Sequence, residues 1–293
     1  MFSIVIPLFN KENSIESTIQ CVLNQTFSEF EVLVIDDGST DESVKKIKQV
    51  SDNRIRLIQK PNGGVSSARN RGIEEAKYRY IVFLDADDIW EPDYLLEEKR
   101  LIEDFPEAKM WGCAYGYISE TGKEEIDHAL PVGFRGIISD YFGMKKKTNM
   151  FCSISVVIDK AVFRKISAFD ERMKMGEDLD VWYRIILNFP VVFYNKTLSY
   201  YRTDAENKAM HRKHDLQSTL FFYIEKFEEY RKSNKTFRLF FDKLCLRQLY
   251  SYYLQPETKQ LVKDKLKTID FSEQPIRWRL QYLFPSVFRE ILK

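Results

Sequence analysis

Several things are scarce or missing in this 293-residue chain, and each absence removes a class of function. There are only four cysteines, Cys21, Cys113, Cys152 and Cys245, and no two form a C-x-x-C pair. A zinc site on cysteine pairs is therefore not expected, and a chain this long needs no disulfide framework; buried free thiols in a reducing compartment are. No stretch approaches 18 uncharged apolar residues, so no transmembrane helix is predicted. The opening Met1-Phe2-Ser3-Ile4-Val5-Ile6-Pro7 has no basic flank and too short an apolar run for a signal peptide. There is no G-x-x-x-x-G-K-[ST] loop, no G-x-S-x-G elbow and no H-E-x-x-H, which sets aside three common enzyme types. No internal repeat or low-complexity tract is visible. The net charge of +1 gives no case for nucleic-acid binding.

That near-neutral total hides an uneven distribution. Residues 205–293 carry 18 Lys and Arg against 11 Asp and Glu, a balance of +7, which leaves −6 for residues 1–204. An acidic body and a basic tail suggest two units with different partners. A helical tail whose lysines and arginines are simply solvated is the plainer alternative.

The first hundred residues alternate between strand and helix patterns. Strands are predicted at Phe2–Leu8, Glu31–Ile35, Arg54–Gln59 and Tyr80–Leu84, with helices over Ser14–Gln25, Asp41–Val50 and Val65–Ala76 between them. This β-α-β-α-β-α-β order implies a Rossmann-like, mostly parallel sheet flanked by helices, an α/β fold. Further on, a helix is predicted at Asp93–Asp104, strands at Met110–Ser119 and Phe151–Ile158, a short helix at Lys160–Lys165, and a periodic helix at Asp178–Asn188. Two short strands, Val191–Tyr194 and Leu198–Tyr201, precede a run of helices from Leu216 that Pro256 and Pro275 interrupt. The expected division is a domain over 1–204, with a first half to about 105 and a second half from about 106, followed by a helical C-terminal extension over 205–293.

Open α/β sheets bind ligands at the C-terminal ends of their parallel strands. Three predicted strands end there in Phe9-Asn10, Asp36-Asp37 and Asp85-Ala86-Asp87, so segments far apart in sequence converge. Asp85 and Asp87, one residue apart after a buried strand, can present hard oxygens to Mn²⁺ or Mg²⁺. Helix capping accounts for Asp93 but not for several acids directly after Phe83-Leu84. A carboxylate of Asp36-Asp37-Gly38-Ser39-Thr40-Asp41 can accept the N3–H of a uracil ring, although the same residues also favour a turn and a cap.

Taken together, I-V-I-P-L-F-N-K-E, V-I-D-D-G-S-T-D, N-G-G-V-S-S-A-R-N-R-G-I, F-L-D-A-D-D and M-G-E-D-L-D-V-W-Y-R resemble, in order and spacing, the family 2 inverting glycosyltransferases of the GT-A fold. The resemblance covers roughly residues 2–203. It implies a nucleotide-sugar donor, commonly UDP-linked, a divalent cation and inversion at the anomeric carbon. It implies that Pro7 and Phe9 line the nucleobase, with Phe9 where the family usually has tyrosine. Asp37 corresponds to the base-reading acid, and Arg69 lies in the stretch facing the nucleotide, where a structural ion pair is the competing role. Asp85 and Asp87 match the metal and ribose–diphosphate motif, Asp87 being the direct ligand, and Asp178 matches the general base. The segment Tyr200-Tyr201-Arg202 and the loop through His214 resemble the region that closes over the donor diphosphate, with His211 or His214 as a candidate metal ligand. His128 matches no motif and is expected at the surface.

The expected acceptor is a saccharide or lipid-linked saccharide, in cell-surface polysaccharide, lipopolysaccharide, O-antigen or capsule synthesis. The expected location is cytoplasmic, at the inner face of the plasma membrane if the aromatic- and arginine-rich 276–284 segment makes peripheral membrane contact. A sugar-phosphate nucleotidyltransferase is the first rival, but it would carry a glycine-rich loop where P-L-F-N-K-E stands. A non-catalytic nucleotide-sugar-binding module is the second; it would be expected to lack the acids at 85, 87 or 178, all of which are present.

Overall fold

The apolar runs at the start of the chain become the centre of a ten-stranded sheet. In the computed structural model, which describes residues 1–144, 149–206 and 214–285, β1 (Phe2–Leu8) lies between β2 (Phe30–Asp36) and β4 (Tyr80–Phe83), with β3 (Ile55–Gln59) outside β2. All these pairings are parallel. Phe2, Ile4, Val5 and Ile6 of β1 are fully buried, as are Val32 to Ile35 of β2. Continuous apolar strands of this kind fit a sheet covered on both faces. The crossovers are α1 (Ile15–Leu23), α2 (Ser43–Gln49) and α3 (Val65–Glu75). Helix α3 packs so closely on β1 that a Cβ at Gly72 would lie 2.2 Å from Val5 Cγ1.

Beyond β4 the sheet becomes mixed. The two-residue β5 (Ile89–Trp90) leads into α4 (Tyr94–Asp104), the long β6 (Met110–Ser119) and its hairpin partner β7 (Gly122–Glu125). Strands β8 (Arg135–Ile137) and β9 (Val156–Asp159) follow, then α5 (Glu177–Asn188) and β10 (Val191–Arg202). Strand order is β3-β2-β1-β4-β9-β6-β10-β5. β9 runs antiparallel to both β4 and β6, and β6 and β10 are parallel. The parallel order expected from sequence therefore holds in the first four strands and again between β6 and β10, with β9 reversed between them.

Three local expectations change. Phe151–Ile158 is not one strand: Ser153–Ser155 is a 3-10 turn, because Ser155 Oγ accepts the Cys152 amide at 3.1 Å, and only Val156–Asp159 is extended. The two short strands at 191–194 and 198–201 are one, β10, with register shifts on either side of Thr197. Asn195 fills that irregularity, its buried side-chain amide donating to Leu130 O at 2.6 Å and Pro131 O at 3.1 Å. His128 is not a surface residue but 1% exposed, with Nε2 2.8 Å from Tyr115 O and its ring against Tyr115 and Phe193. Burial lowers its pKa below the usual histidine value.

The contacts divide the chain into two units, Met1–Lys213 and His214–Lys293. The second is helical: 3-10 segments at Leu216–Ser218 and Leu220–Phe227, then α6 (Glu228–Ser233), α7 (Lys235–Tyr253), α8 (Pro256–Leu266) and α9 (Ile276–Leu283). Pro256 occupies the first turn of α8, where its missing N–H costs nothing. Its core holds Phe227, Phe237 and Phe241, whose rings lie 4.8–5.6 Å apart. A buried Arg231–Asp242 ion pair at 2.7 Å ties α6 to α7.

Glu98 of α4 is fully buried, and neither carboxylate oxygen has a hydrogen-bond partner. Burial, with a smaller contribution from Glu97, raises its pKa well above the usual carboxylate value. The native state thus holds this proton more tightly than the unfolded chain. The stability it contributes is complete below the unfolded pKa of about 4.3 and is lost as pH rises through the native value. Glu98→Gln, which keeps the shape without the charge, is expected to melt above the parent protein at about pH 8, the gap closing towards about pH 4. Thermal unfolding across that range checks this; a gap that does not depend on pH would contradict it.

Candidate active site

The loops after β1, β2 and β4 meet at one edge of the sheet and are fastened to each other. The Asp37 amide donates to Leu8 O at 2.8 Å, and Thr40 N to Asn10 Oδ1 at 2.8 Å. Pro7 is partly buried in β1, and Phe9 beyond it is 37% exposed, an aromatic face open at this edge. Asp37 is buried, and both its oxygens are engaged. Gly63 N and Gly64 N donate to them at 2.9 and 2.7 Å, and Lys60 Nζ lies 2.6 Å from Oδ1. Asn62 adds a bond to Asp37 O at 2.9 Å. Asp37 thus folds the 60–64 turn around itself and sets the start of α3.

Helix α3 then delivers Arg69, which is 3% exposed. One arm of its guanidinium meets Asp85 Oδ1 at 2.9 Å and the other Glu177 Oε1 at 3.0 Å. Of the two roles weighed from sequence for this residue, the ion pair is the one the structure shows. Gly176 stands at the helix N-cap with φ +80°, a conformation glycine adopts freely, and turns the chain into α5. Asp178 follows in the first turn, half-buried, with Oδ1 accepting Leu179 N at 2.8 Å. Burial raises the Asp178 pKa against the opposing pull of Arg69. Burial and then the neighbouring Asp178 push Glu177 up to about 7, Arg69 again opposing.

The β4–β5 connection carries the other acids. Asp87 Oδ2 lies 2.6 Å from Lys11 Nζ, both side chains being 12% exposed. Asp88 is fully buried: Oδ1 accepts Arg202 N at 2.8 Å, and Thr18 Oγ1 donates to its carbonyl at 3.0 Å. Arg202 Nε donates to Asp87 O at 3.0 Å, so the end of β10 is laid along this turn. Burial raises the Asp87 pKa, with Lys11 opposing, and raises that of Asp88 much further, with Asp87 and Asp85 adding to it.

The structure thus brings Pro7, Phe9, Asp37, Arg69, Asp85, Asp87 and Asp178 to one face of the first unit. Among the described residues no group of three or more His, Cys, Asp or Glu side chains is arranged to hold a metal ion. Two hard-oxygen carboxylates with substrate phosphates completing the shell is the donor set that Mg²⁺ and Mn²⁺ accept, and Asp85 and Asp87 fit it. His211 lies outside the described residues, and His214 belongs to the second unit. Sequence reasoning gave no role to Lys11, Lys60 or Glu206. Lys11 had a visible signal, being a cation in the turn that follows β1.

Comparison with known proteins accords with this geometry. The profile of glycosyl transferase family 2 matches residues 3–172, more than half of the chain. The protein belongs to that family. An uncharacterized glycosyltransferase of Rickettsia bellii is 33% identical over 208 residues, 70% of this chain but 29% of the relative. A chondroitin synthase of Pasteurella multocida is 38% identical over 117 residues, 39% of this chain and 12% of the relative. The chain therefore spans well under half the length of these two relatives. Among solved structures, S. aureus TarS 1–349 in complex with UDP-GlcNAc superposes with a TM-score of 0.74 at 17% identity, covering 94% of this chain and 82% of that one. That likeness establishes a shared GT-A-like fold.

Arg69 is the buried bridge between the β4 end and α5. Arg69→Met would leave Asp85 and Glu177 facing each other without a cation, and a loss of about 3 kcal/mol is expected, the lower end for a broken buried pair because Asp85 is partly exposed. Arg69→Lys is expected to recover only part, since one ammonium cannot form both arms of the fork. Urea unfolding of the two variants checks the order; full recovery by lysine would contradict it.

Proposed function

We propose that this protein moves a sugar from a nucleoside diphosphate donor, a UDP-sugar, to an acceptor hydroxyl with inversion at the anomeric carbon. The observation that carries the reading is the Asp85–Arg69–Glu177 bridge, which holds the Asp85/Asp87 pair and Asp178 at one sheet edge. A pair that would hold a metal beside a separate carboxylate suits single displacement: one charge centre for the departing diphosphate, one acceptor for the incoming hydroxyl's proton. The family assignment and the UDP-GlcNAc held by the TarS neighbour support the donor class.

Residue by residue, Phe9 offers a half-open ring for stacking on the base, beside Pro7, and Asp37 has its oxygens at the same edge. Asp85 and Asp87 would hold Mn²⁺ or Mg²⁺. Bound there, such an ion would neutralise the diphosphate and let it approach an acidic edge. Asp178 is the base. Its position in the first turn of α5 favours the ionised form, while its burial strengthens its hold on an incoming proton. The acceptor, in this reading, is a saccharide or lipid-linked saccharide used in cell-surface polysaccharide synthesis. A non-catalytic nucleotide-sugar-binding module would keep donor affinity and show no transfer.

Asp178→Asn separates base from structural partner of the first turn, because an asparagine oxygen can still accept Leu179 N but cannot take a proton. Transfer, followed as UDP release across a donor panel, is expected to fall by about 10²-fold or more with melting temperature and UDP affinity unchanged. In the same assays, Asp87→Ala should reduce Mn²⁺-supported UDP binding to the level seen with chelator. Near-normal turnover by the Asn variant would remove Asp178 from the mechanism.

No helix among the described residues is long and apolar enough to cross a membrane. The basic second unit nevertheless offers a surface for peripheral contact. Four of the seven large exposed apolar side chains among the described residues, Ile276, Leu280, Leu283 and Phe284, lie on or just after α9, spaced as one helical stripe with Arg277 and Arg279 beside them. Trp278 and Tyr282 point the other way and are buried. Replacing Ile276, Leu280 and Leu283 with serine is expected to abolish co-sedimentation with anionic phosphatidylglycerol vesicles without altering UDP affinity. Equal pelleting of parent and variant would leave α9 as a packing element only.

A further inference from the structure

Lys11 has no part in the transfer chemistry proposed above, yet it is one of the most tightly built side chains at this edge. Its backbone amide donates to Ser43 Oγ at 2.9 Å. Its ammonium lies 2.6 Å from Asp87 Oδ2 and also donates to the carbonyl of Glu206. Glu206 is itself anchored to the same turn, its carboxylate accepting Asn13 N at 3.1 Å and Ser14 Oγ at 2.6 Å. The chain past β10 and the chain past β1 are thus fastened together around the Lys11 head group. The surface pair Lys45–Glu42 is of another kind, both members being more than half exposed.

Charge explains why a cation is needed here. Asp85, Asp87 and Asp88 fall within four residues, at least two of them in contact with a positive side chain. Arg69 is shared between Asp85 and Glu177, and Lys11 stands on Asp87. The two cations differ in kind. Arg69 is a planar fork locked between two carboxylates, whereas Lys11 is a compact point charge on a flexible stem that can swing aside. The carboxylate it holds is the one that, in the reading above, would hold the divalent ion, and two cations cannot both stand against one carboxylate without strong repulsion.

We infer that Lys11 is a resident competitor for the divalent-cation site: its ammonium neutralises Asp87 in the free protein, and a divalent ion binds by displacing it. This rests on the reading of Asp85 and Asp87 as metal-holding residues. It follows that metal alone binds the free protein weakly. A donor diphosphate, which brings both further oxygen ligands for the ion and negative charge for the displaced ammonium, makes the exchange favourable. Metal and nucleotide therefore enter as a coupled pair.

The test is titration of Mn²⁺ alone, followed by calorimetry and by loss of the free-ion EPR signal, into the full chain and its variants. Lys11→Gln is expected to bind Mn²⁺ about ten-fold or more tightly than the parent, since one like charge at contact has gone. Lys11→Arg is expected to stay near the parent value, and Lys11→Gln combined with Asp87→Asn to lose the gain. Affinity in Lys11→Gln equal to or weaker than the parent's, including no detectable binding by either, overturns the proposal. A measurement on the unmutated protein guards against misfolding of the variant. Mild acetylation read by peptide mass spectrometry should modify Lys11 about three-fold faster or more at saturating Mn²⁺ without nucleotide, with the exposed Lys45 as internal standard, because the displaced side chain leaves a pair in which it is only 12% exposed. An unchanged Lys11 rate overturns the displacement. The underlying metal reading fails differently, by UDP binding in the unmutated protein that is equal with Mn²⁺ and with chelator.

Discussion

Carboxylates placed side by side in a half-dry setting destabilise one another, and this chain puts five of them, Asp85, Asp87, Asp88, Glu177 and Asp178, at one sheet edge. Their compensation is the constraint around which the first unit is arranged. Arg69 is buried between Asp85 and Glu177, so α3 and α5 keep a fixed separation across the end of β4. Lys11 is drawn onto Asp87, which brings the turn after β1 to the same place. The backbone of Arg202 closes on Asp88, and so β10 ends here as well. Remove the positive partners and the acids repel; remove the acids and four segments lose their common anchor.

The same arrangement separates the acids by character. Asp88 is sealed in, one oxygen without a partner, and burial makes its ionised form costly. Asp85 is the more open of the two groups held by Arg69, at 29% side-chain exposure against 13% for Glu177. Asp178 sits beyond Glu177, half-buried, with one oxygen bound to its own helix. Groups of one chemical kind thus differ from sealed to bridged to half-buried at one sheet edge, and the sealed one, Asp88, fixes the end of β10.

Much of this was legible in the sequence, for definite reasons. Unbroken apolar runs such as Ile4 to Ile6 and Val32 to Ile35 have few places to go but the interior of a covered sheet. A parallel sheet then carries the residues that follow each strand to one edge, so Asn10, Asp37 and Asp85 were placed together without reference to contacts. What could not be read was pairing that depends on long-range geometry. Val156–Asp159 looks like any short strand, and nothing local says that it enters reversed between β4 and β6. His128 lies in a polar stretch that reads as surface; its burial comes from its ring packing on Tyr115 and Phe193. Asn195 interrupts an apolar pattern and so divided β10 in two, although its amide is what lets the strand run through. Lys11 and Lys60 carry a charge that sequence alone leaves in solvent, and only the fold supplies the acids they meet.

The closeness of α3 to β1 has a consequence for how this protein can change over evolutionary time. At Gly72 there is no room for a methyl group, since it would fall 2.2 Å from Val5 Cγ1. Gly72 lies one turn along from Arg69, on the same helix. A side chain at position 72 would push α3 outward and carry the guanidinium away from Asp85 and Glu177 with it. Position 72 therefore depends on position 5: any residue larger than glycine at 72 is accessible only after a smaller residue replaces Val5. A core contact that touches no ligand in this way limits the mutational routes open to the acidic edge.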